Sequence, residues 1–121
     1  MTDTMKQIKI INDSSSVVID GSLADGFITR FRGLMFKKSI PDGWGLMIVP
    51  CNQIHMFNMR FPIDVVYISK EGKIVFIDKN VPKGKVCKAV KQAHCVLELN
   101  AGTAEGLGLN IGNTLTVQSV K

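Results

Sequence analysis

The stretches Ile63-Asp-Val-Val-Tyr-Ile68 and Lys73-Ile-Val-Phe-Ile77 decide the fold class of this chain. Both are rich in the β-branched and aromatic residues that strands favour, and Lys70-Glu-Gly72 supplies a turn between them. The pattern therefore predicts a β-hairpin.

Short strands separated by turn residues extend this pattern over the rest of the chain. Further strands are predicted at residues 6–11, 17–20, 46–49, 94–99 and 115–120, with a strand or extended segment at 52–59. Apolar spacing predicts a short helix that contains Phe27 and Phe31. Ser22 or Asp25 would cap it, and a second helical turn begins at Thr103. About seven short strands predict a mainly β (α+β) fold, a small closed β-barrel or sandwich with one or two short helices.

The apolar positions of these elements define the expected core. It contains Phe27, Phe31, Met47, Val66, Ile68, Val75, Ile77, Leu97 and Leu115. A charge placed among them would lie unpaired in an apolar interior, at a high cost in free energy.

Length and composition are typical of one globular domain. The chain has 121 residues, of which 45% are hydrophobic and 21% charged, so we expect a single domain over residues 1–121 and exclude a disordered protein. The polar start lacks the features of a secretory signal, and the apolar runs are far shorter than the roughly 18 residues of a membrane span. We therefore expect no membrane association. Three cysteines, which cannot all pair, indicate reduced thiols and a cytoplasmic protein.

The excess positive charge is concentrated in residues 79–91, called here the lysine loop. The formal net charge is +5, and five lysines occur in this loop with no acidic residue between them. The loop has no aromatic side chain on which bases could stack. We expect a solvated, mobile loop without specific nucleic-acid binding, and a weak nucleic-acid adaptor is the alternative.

Two carboxylates interrupt apolar strands, where burial is costly unless the group is paired or hydrogen-bonded. Glu98 lies between Leu97 and Leu99, so strand alternation directs it towards solvent, unless it makes a specific contact. Asp64 follows a Pro-Ile pair and either accepts backbone N–H bonds at that turn or contributes to a pocket. Both are candidate ligand-binding residues.

Arg32 and His55 complete the candidate set. Arg30 and Arg32 flank Phe31 near the end of the predicted helix, where they suit the helix dipole or could clamp a carboxylate or an anionic ligand. His55 is either a structural imidazole or, with Asp64, a general base and the group that orients it. Because His55 and Asp64 lie on neighbouring segments joined by a short turn, we expect them to share a pocket.

Motifs for metals, cofactors and nucleophiles are not found in the sequence. Adjacent strand residues such as His94 and Cys95 point to opposite faces, and no Cys-x-x-Cys or His-x-x-x-His pair occurs, so no metal is expected. There is no Gly-x-Ser-x-Gly elbow and no Walker-type glycine loop, and on a strand Cys51 and His55 would be too far apart to pair. We predict no catalytic residue and no cofactor.

Six separated motifs follow one another along the chain. They are Arg32-Gly-Leu-Met, Gly45-Leu-Met-Ile-Val, Ile54-His-Met-Phe-Asn-Met, Pro62-Ile-Asp-Val-Val-Tyr, Leu97-Glu-Leu-Asn-Ala-Gly and Gly112-Asn. From residue 20 or so to the C-terminus the chain thus resembles the family called domain of unknown function 192 (DUF192). The resemblance implies a small β-barrel-like domain whose biochemical role is not established. It also implies that His55, Asp64 and Glu98 occupy family positions, whereas Asn113 replaces the family's usual aspartate.

The sequence therefore predicts a non-catalytic accessory domain that binds a small molecule or a peptide. Arg32, His55, Asp64 and Glu98 would brace the binding site at the mouth of a barrel. One alternative is a hydrolase-type enzyme that uses His55 and Asp64, and another is the weak nucleic-acid adaptor. The absence of a nucleophile or a metal set beside His55 favours the binding domain.

Overall fold

The computed structural model describes residues 5–120 and contains a seven-stranded mixed sheet with two short helices. The strands are β1 Lys6–Asn12, β2 Val18–Ala24, β3 Trp44–Ile48, β4 Ile63–Ile68, β5 Ile74–Val81, β6 Cys95–Asn100 and β7 Leu115–Ser119, and the helices are α1 Phe27–Arg32 and α2 Thr103–Gly106. No helix among the described residues is long and apolar enough to cross a membrane. The predicted mainly β fold, including the hairpin of β4 and β5, is confirmed.

The sheet curls into an open half-barrel. Its strands follow the order β5-β4-β6-β3-β2-β1-β7, in which β2 and β3 run parallel. The edge strands meet at one corner, where the Ile74 N–H donates to the Asn113 carbonyl and the Leu115 N–H donates to the Gly72 carbonyl, both at 2.8 Å. The predicted closed barrel is wrong, because β5 and β7 do not pair along their length.

Each face of the sheet carries its own hydrophobic core. The α2-side core takes side chains from all seven strands and from Ala104 of α2. The loop-side core joins side chains of β2 to β6 with those of the connecting segments, among them Leu34, Met56 and Cys87. Strand β6 lies between β3 and β4 and is buried on both of its faces.

Most of the predicted core residues are buried. Met47, Val66, Ile68, Leu97 and Leu115 are buried, and Val75 and Ile77 pack against the cores in part. Phe27 and Phe31 are instead 79% and 66% exposed. Their predicted burial is wrong because α1 turns Thr29 towards the protein and its phenylalanines away from it.

Two local predictions also differ from the structure. Residues 52–59 form no strand and make one isolated bridge, between His55 and Val86. Asn58 has a φ of 60°, which is incompatible with an extended chain at that position. Neither predicted cap of α1, Ser22 or Asp25, is its cap. Gly26 is the N-cap, and Ser22 lies within β2, which extends to Ala24.

Val66 tests the register of the β4–β5 hairpin, because its side chain is fully buried in the α2-side core. We expect Val66→Asp to prevent folding, since it would place an unpaired carboxylate in an apolar interior. Val18→Asp is the matched control, because Val18 is 50% exposed. Circular dichroism melts should show a cooperative transition for the control alone. A soluble Val66→Asp variant that melts like the wild type would contradict this register.

Candidate functional site

A cavity of about 290 Å³ lies between α1 and the loop-side core. Its apolar lining includes Phe27, Phe31, Leu34, Ile48, Ile54 and Met59, and its polar lining includes Arg30, Arg32, Cys51, Gln53, His55 and Glu98. A concave, mostly apolar surface with a few convergent polar groups is the usual form of a small-molecule site. This cavity is therefore the candidate functional site.

Glu98 reaches the cavity because of its place in β6. Its neighbours Leu97 and Leu99 both enter the α2-side core, so alternation directs Glu98 to the opposite face. That face is covered by α1 and the connecting segments, and only 5% of Glu98 is exposed. The expectation that Glu98 faces solvent is wrong, because both faces of β6 are covered.

The Glu98 carboxyl has an unusual environment for an ionisable group. Its Oε1 is buried and has no hydrogen-bond partner among the described residues. Burial raises the pKa of Glu98 to about 7, because the surroundings disfavour its ionised form. At neutral pH the group can therefore either accept or donate a hydrogen bond.

Gly33 keeps the approach to this carboxyl open. It follows α1 with φ 48° and ψ −124°, a conformation that side-chain-bearing residues rarely adopt. A Cβ atom at this position would lie 3.4 Å from Glu98 Oε1. Glycine therefore ends the helix and leaves space beside the carboxyl oxygen.

The two arginines of α1 line the cavity without neutralising Glu98. Arg30 donates from Nη1 to the Pro50 carbonyl at 3.4 Å, while its Nε is buried and has no partner among the described residues. Arg32 is exposed and lines the same cavity. The ion pairs within residues 5–120 do not join either arginine to a carboxylate. A clamp on Asp64 or Glu98, one of the alternatives that the sequence left open for these arginines, is therefore not formed.

His55 lies at the rim of the cavity, between two phenylalanine rings. The ring centroid of Phe31 is 6.1 Å away and that of Phe57 is 5.1 Å away. His55 Nδ1 accepts a long hydrogen bond, 3.3 Å, from the Phe57 N–H. The imidazole is thus held at the mouth by aromatic packing and a backbone contact.

Cys51 is the thiol that lines the cavity. Its Sγ donates to the Gln53 carbonyl at 3.2 Å. Burial raises the pKa of the Cys51 thiol, so the protonated form predominates at neutral pH. A protonated thiol is a poor nucleophile.

Asp64 lies on the other face of the sheet. In the β4–β6 pair, Asp64 is opposite Leu99 and Val65 is opposite Glu98, so the two carboxylates point to different cores. Asp64 therefore does not line the cavity that contains His55. The expectation that Asp64 and His55 share a pocket is wrong. The two residues therefore do not form the general base and orienting carboxylate that the hydrolase alternative requires.

The carboxylate of Asp64 is occupied by backbone groups. Its Oδ1 accepts from the Asn80 N–H at 2.9 Å, and its Oδ2 accepts from the N–H groups of Gly102 at 3.0 Å and Ala104 at 2.9 Å. Asp64 thus joins the start of α2 to the irregular end of the β4–β5 pair. The structural interpretation of Asp64 is confirmed, although its donors differ from those expected at the Pro62 turn.

The structure brings Arg32, His55 and Glu98 to one cavity, and their role in binding a ligand stays a prediction. Gly33 and Cys51 belong to the site but were not among the predicted site residues. Gly33 lies inside the Arg32-Gly-Leu-Met motif, which was the available signal. No comparable signal marked Cys51, because its segment has irregular structure.

The sequence model of the family DUF192, described as uncharacterised, matches residues 8–117. The UPF0127 protein of Thermococcus kodakarensis is 29% identical over 114 residues, covering 88% of this chain and 71% of the relative. The UPF0127 protein of Pyrococcus furiosus is 26% identical over 110 residues, covering 87% of this chain and 92% of the relative. Neither name states an activity.

Two crystal structures have the same fold. A protein of unknown function from Novosphingobium aromaticivorans has a TM-score of 0.81 at 23% identity, covering 93% of this chain and 84% of its own. A Sinorhizobium meliloti protein named as a candidate transcription regulator has a TM-score of 0.82 at 24% identity, covering 97% of this chain and 96% of its own. At these identities the likeness concerns the fold alone.

The Asp64 interactions should contribute measurably to stability. Asp64→Asn replaces one acceptor oxygen by an NH₂ group that faces backbone donors, and we expect a loss of about 1–3 kcal/mol in the free energy of unfolding. Asp42→Asn is the control, because Asp42 is exposed.

Because His55 is on the other side of the sheet, the stability losses caused by His55→Ala and by Asp64→Asn should add within about 0.5 kcal/mol when urea denaturation of the double mutant is compared with that of the single mutants. A non-additive cycle would contradict the separation of the two residues.

Glu98 should make stability depend on pH in a specific direction. In the unfolded chain Glu98 loses its proton near pH 4.5, whereas in the folded chain it keeps the proton up to about pH 7. The folded state is therefore favoured below pH 4.5 and loses this advantage as the pH rises to about 7. We expect Glu98→Gln to match the wild type at pH 4 and to exceed it by about 3 kcal/mol at pH 8.

Urea denaturation of both proteins across this pH range measures the difference. Glu71→Gln is the control, because Glu71 is exposed and should give no such pH-dependent gain. A constant difference between Glu98→Gln and the wild type at all pH values would show that the carboxyl is not desolvated.

Proposed function

Because the chain belongs to the DUF192 family, whose description states no activity, we propose a function from the cavity: the domain binds a small organic molecule there without catalysing a reaction. The ligand has an apolar body and a hydrogen-bond donor at one end. The unpartnered, buried Oε1 of Glu98 is the observation that carries this proposal. A buried polar group without a partner costs free energy, and a donor on a ligand would remove that cost.

The lining of the cavity favours one orientation of the ligand, with its donor towards Glu98. Leu34, Ile48 and Ile54 provide an apolar wall, and Glu98 is the one carboxylate of the lining. A ligand whose donor reaches Glu98 would place its apolar body against this wall. Burial of apolar area would supply the affinity, and the hydrogen bond would supply the orientation.

The polar groups of the cavity support binding rather than catalysis. The Cys51 thiol is protonated because burial raises its pKa, and Asp64, the carboxylate expected to orient His55 as a base, is bonded to backbone groups on the other face of the sheet. The hydrolase alternative thus loses the pair on which it depended.

A cytoplasmic location belongs to the same proposal. Cys51, Cys87 and Cys95 are all free thiols, and two of them are buried. Free thiols persist in a reducing compartment.

Three probes with the same apolar body test the proposed head group. They are 3-phenylpropylamine, 3-phenylpropanamide and 3-phenylpropanoate. We expect the amine to bind best, because it forms a charge-assisted bond with Glu98, and the amide to bind more weakly. The titration is run at pH 8, where Glu98 is largely ionised, so the carboxylate should bind least because it offers no donor and carries a like charge. Two-dimensional NMR titration of the ¹⁵N-labelled protein should place the shifts at Gly33 and its neighbours.

Glu98→Leu provides the decisive variant for this titration. It should weaken the amine by about 10- to 150-fold, the value of a hydrogen bond to a charged group, while Glu71→Gln should leave it unchanged. Carboxylate binding that survives Glu98→Leu would assign the site to the arginines and contradict the proposal. So would the absence of binding by all three probes.

A further inference from the structure

Large apolar side chains are exposed on α1 and on nearby loops, and two of them, Phe27 and Phe31, also line the cavity. These exposed side chains are Phe27 at 79%, Ile28 at 60%, Phe31 at 66%, Phe36 at 62%, Phe57 at 51% and Val86 at 55%, and we call them the aromatic face. Single exposed apolar residues are ordinary, but a contiguous group of this size marks an interaction surface.

Contacts between the segments make the aromatic face continuous. His55 lies between the rings of Phe31 and Phe57, at 6.1 and 5.1 Å. The Phe36 N–H donates to the Asn58 carbonyl at 2.9 Å, next to Phe57. Residues from α1 and two loops therefore form one surface.

Residues 79–81 of the lysine loop belong to β5 instead of a loop, and the rest of it, residues 82–91, borders this surface. The Gly84 N–H donates to the Met56 carbonyl at 2.9 Å, and the Met56 N–H donates to the Lys85 carbonyl at 2.7 Å. A bridge between His55 and Val86 continues the pairing. The structure thus places exposed lysines of this loop beside the exposed phenylalanines.

Positive charge predominates in the segments that form the aromatic face, although Asp25 precedes α1 and Asp78 lies near Cys87, next to Val86. Segments 26–38, 51–60 and 82–91 hold nine of the fifteen Lys and Arg residues and none of the ten Asp and Glu residues. The remainder of the chain carries more acidic than basic residues. This asymmetry favours a partner of negative charge.

We propose that the aromatic face and its cationic border dock on an anionic membrane surface. Protruding apolar side chains enter the boundary between head groups and acyl chains, while lysine and arginine attract anionic lipids. The expectation of no membrane association considered only spanning segments, and peripheral docking needs none. The proposal does not depend on the ligand of the cavity.

Two other occupants fit the surface less well. A second copy of the chain, docked face to face, would oppose the cationic borders and be repelled. A single-stranded nucleic acid would use the phenylalanine rings for stacking, but Ile28 and Val86 would contribute nothing to that interaction. A bilayer uses both the aromatic and the aliphatic side chains.

Vesicle flotation with the full chain tests the proposal. Vesicles of phosphatidylcholine and phosphatidylglycerol in equal parts should bind the protein, vesicles of phosphatidylcholine alone should not, and added salt should release it. Ile28→Ser should lower binding to the mixed vesicles by about tenfold. Ile111→Ser is the matched control, because Ile111 is 63% exposed in a turn outside the aromatic face, and it should not change binding.

Charge variants test the contribution of the lysines to vesicle binding. Lys83→Gln and Lys85→Gln should each weaken binding by about fivefold, whereas Lys70→Gln and Lys73→Gln, in the β4–β5 turn, should not. Glu98→Gln should bind vesicles like the wild type, which separates this proposal from the cavity. Equal binding by Ile28→Ser and Ile111→Ser would overturn the proposal. So would binding of an oligothymidylate strand through the same lysines without any binding to vesicles.

Discussion

Strand β6 is covered on both faces, and every side chain along it must therefore enter one of the two cores or a cavity. Leu97 and Leu99 fill the α2-side core, so Glu98 enters the loop side among apolar groups. Such a carboxyl costs free energy unless it is protonated or finds a partner. The glycine at the end of α1 leaves room for that partner at Oε1. The candidate site thus follows from the placement of one strand at the centre of the sheet.

The sequence could predict the strands but not what covers them. The period of two identified the β4–β5 hairpin and placed Leu97 and Leu99 on one face, and both inferences are confirmed. The same alternation directed Glu98 away from them correctly, yet it could not reveal that this second face is covered. That cover comes from α1 and from irregular segments, and the irregular segments lack any period. The apolar spacing of Phe27 and Phe31 predicted the helix but could not show which way α1 turns them.

The sheet and its connections have different roles in this protein. The strands supply both cores, and Asp64 joins two of their ends through backbone N–H groups. The cavity and the aromatic face are built largely by α1 and the loops. Many side chains there are exposed and do not have to fill a core. The loops also bring the lysine loop beside Phe57, a proximity that the sequence separation concealed. The two proposed interactions share Phe27 and Phe31 but depend on different groups, Glu98 for the ligand and Ile28 with the lysine loop for the membrane, so either can be correct without the other.

Glu98 carries a desolvated carboxyl whose Oε1 has no hydrogen-bond partner among residues 5–120, and the account of the site rests on this group. The most direct measurement is an NMR titration that follows the side-chain carboxyl carbon of Glu98 in the folded, ¹³C-labelled protein. A midpoint near pH 7 is expected, because burial raises the pKa of Glu98 to about 7. A midpoint at or below the ordinary value of 4.5 would show that water or an arginine satisfies the carboxyl and would contradict the account.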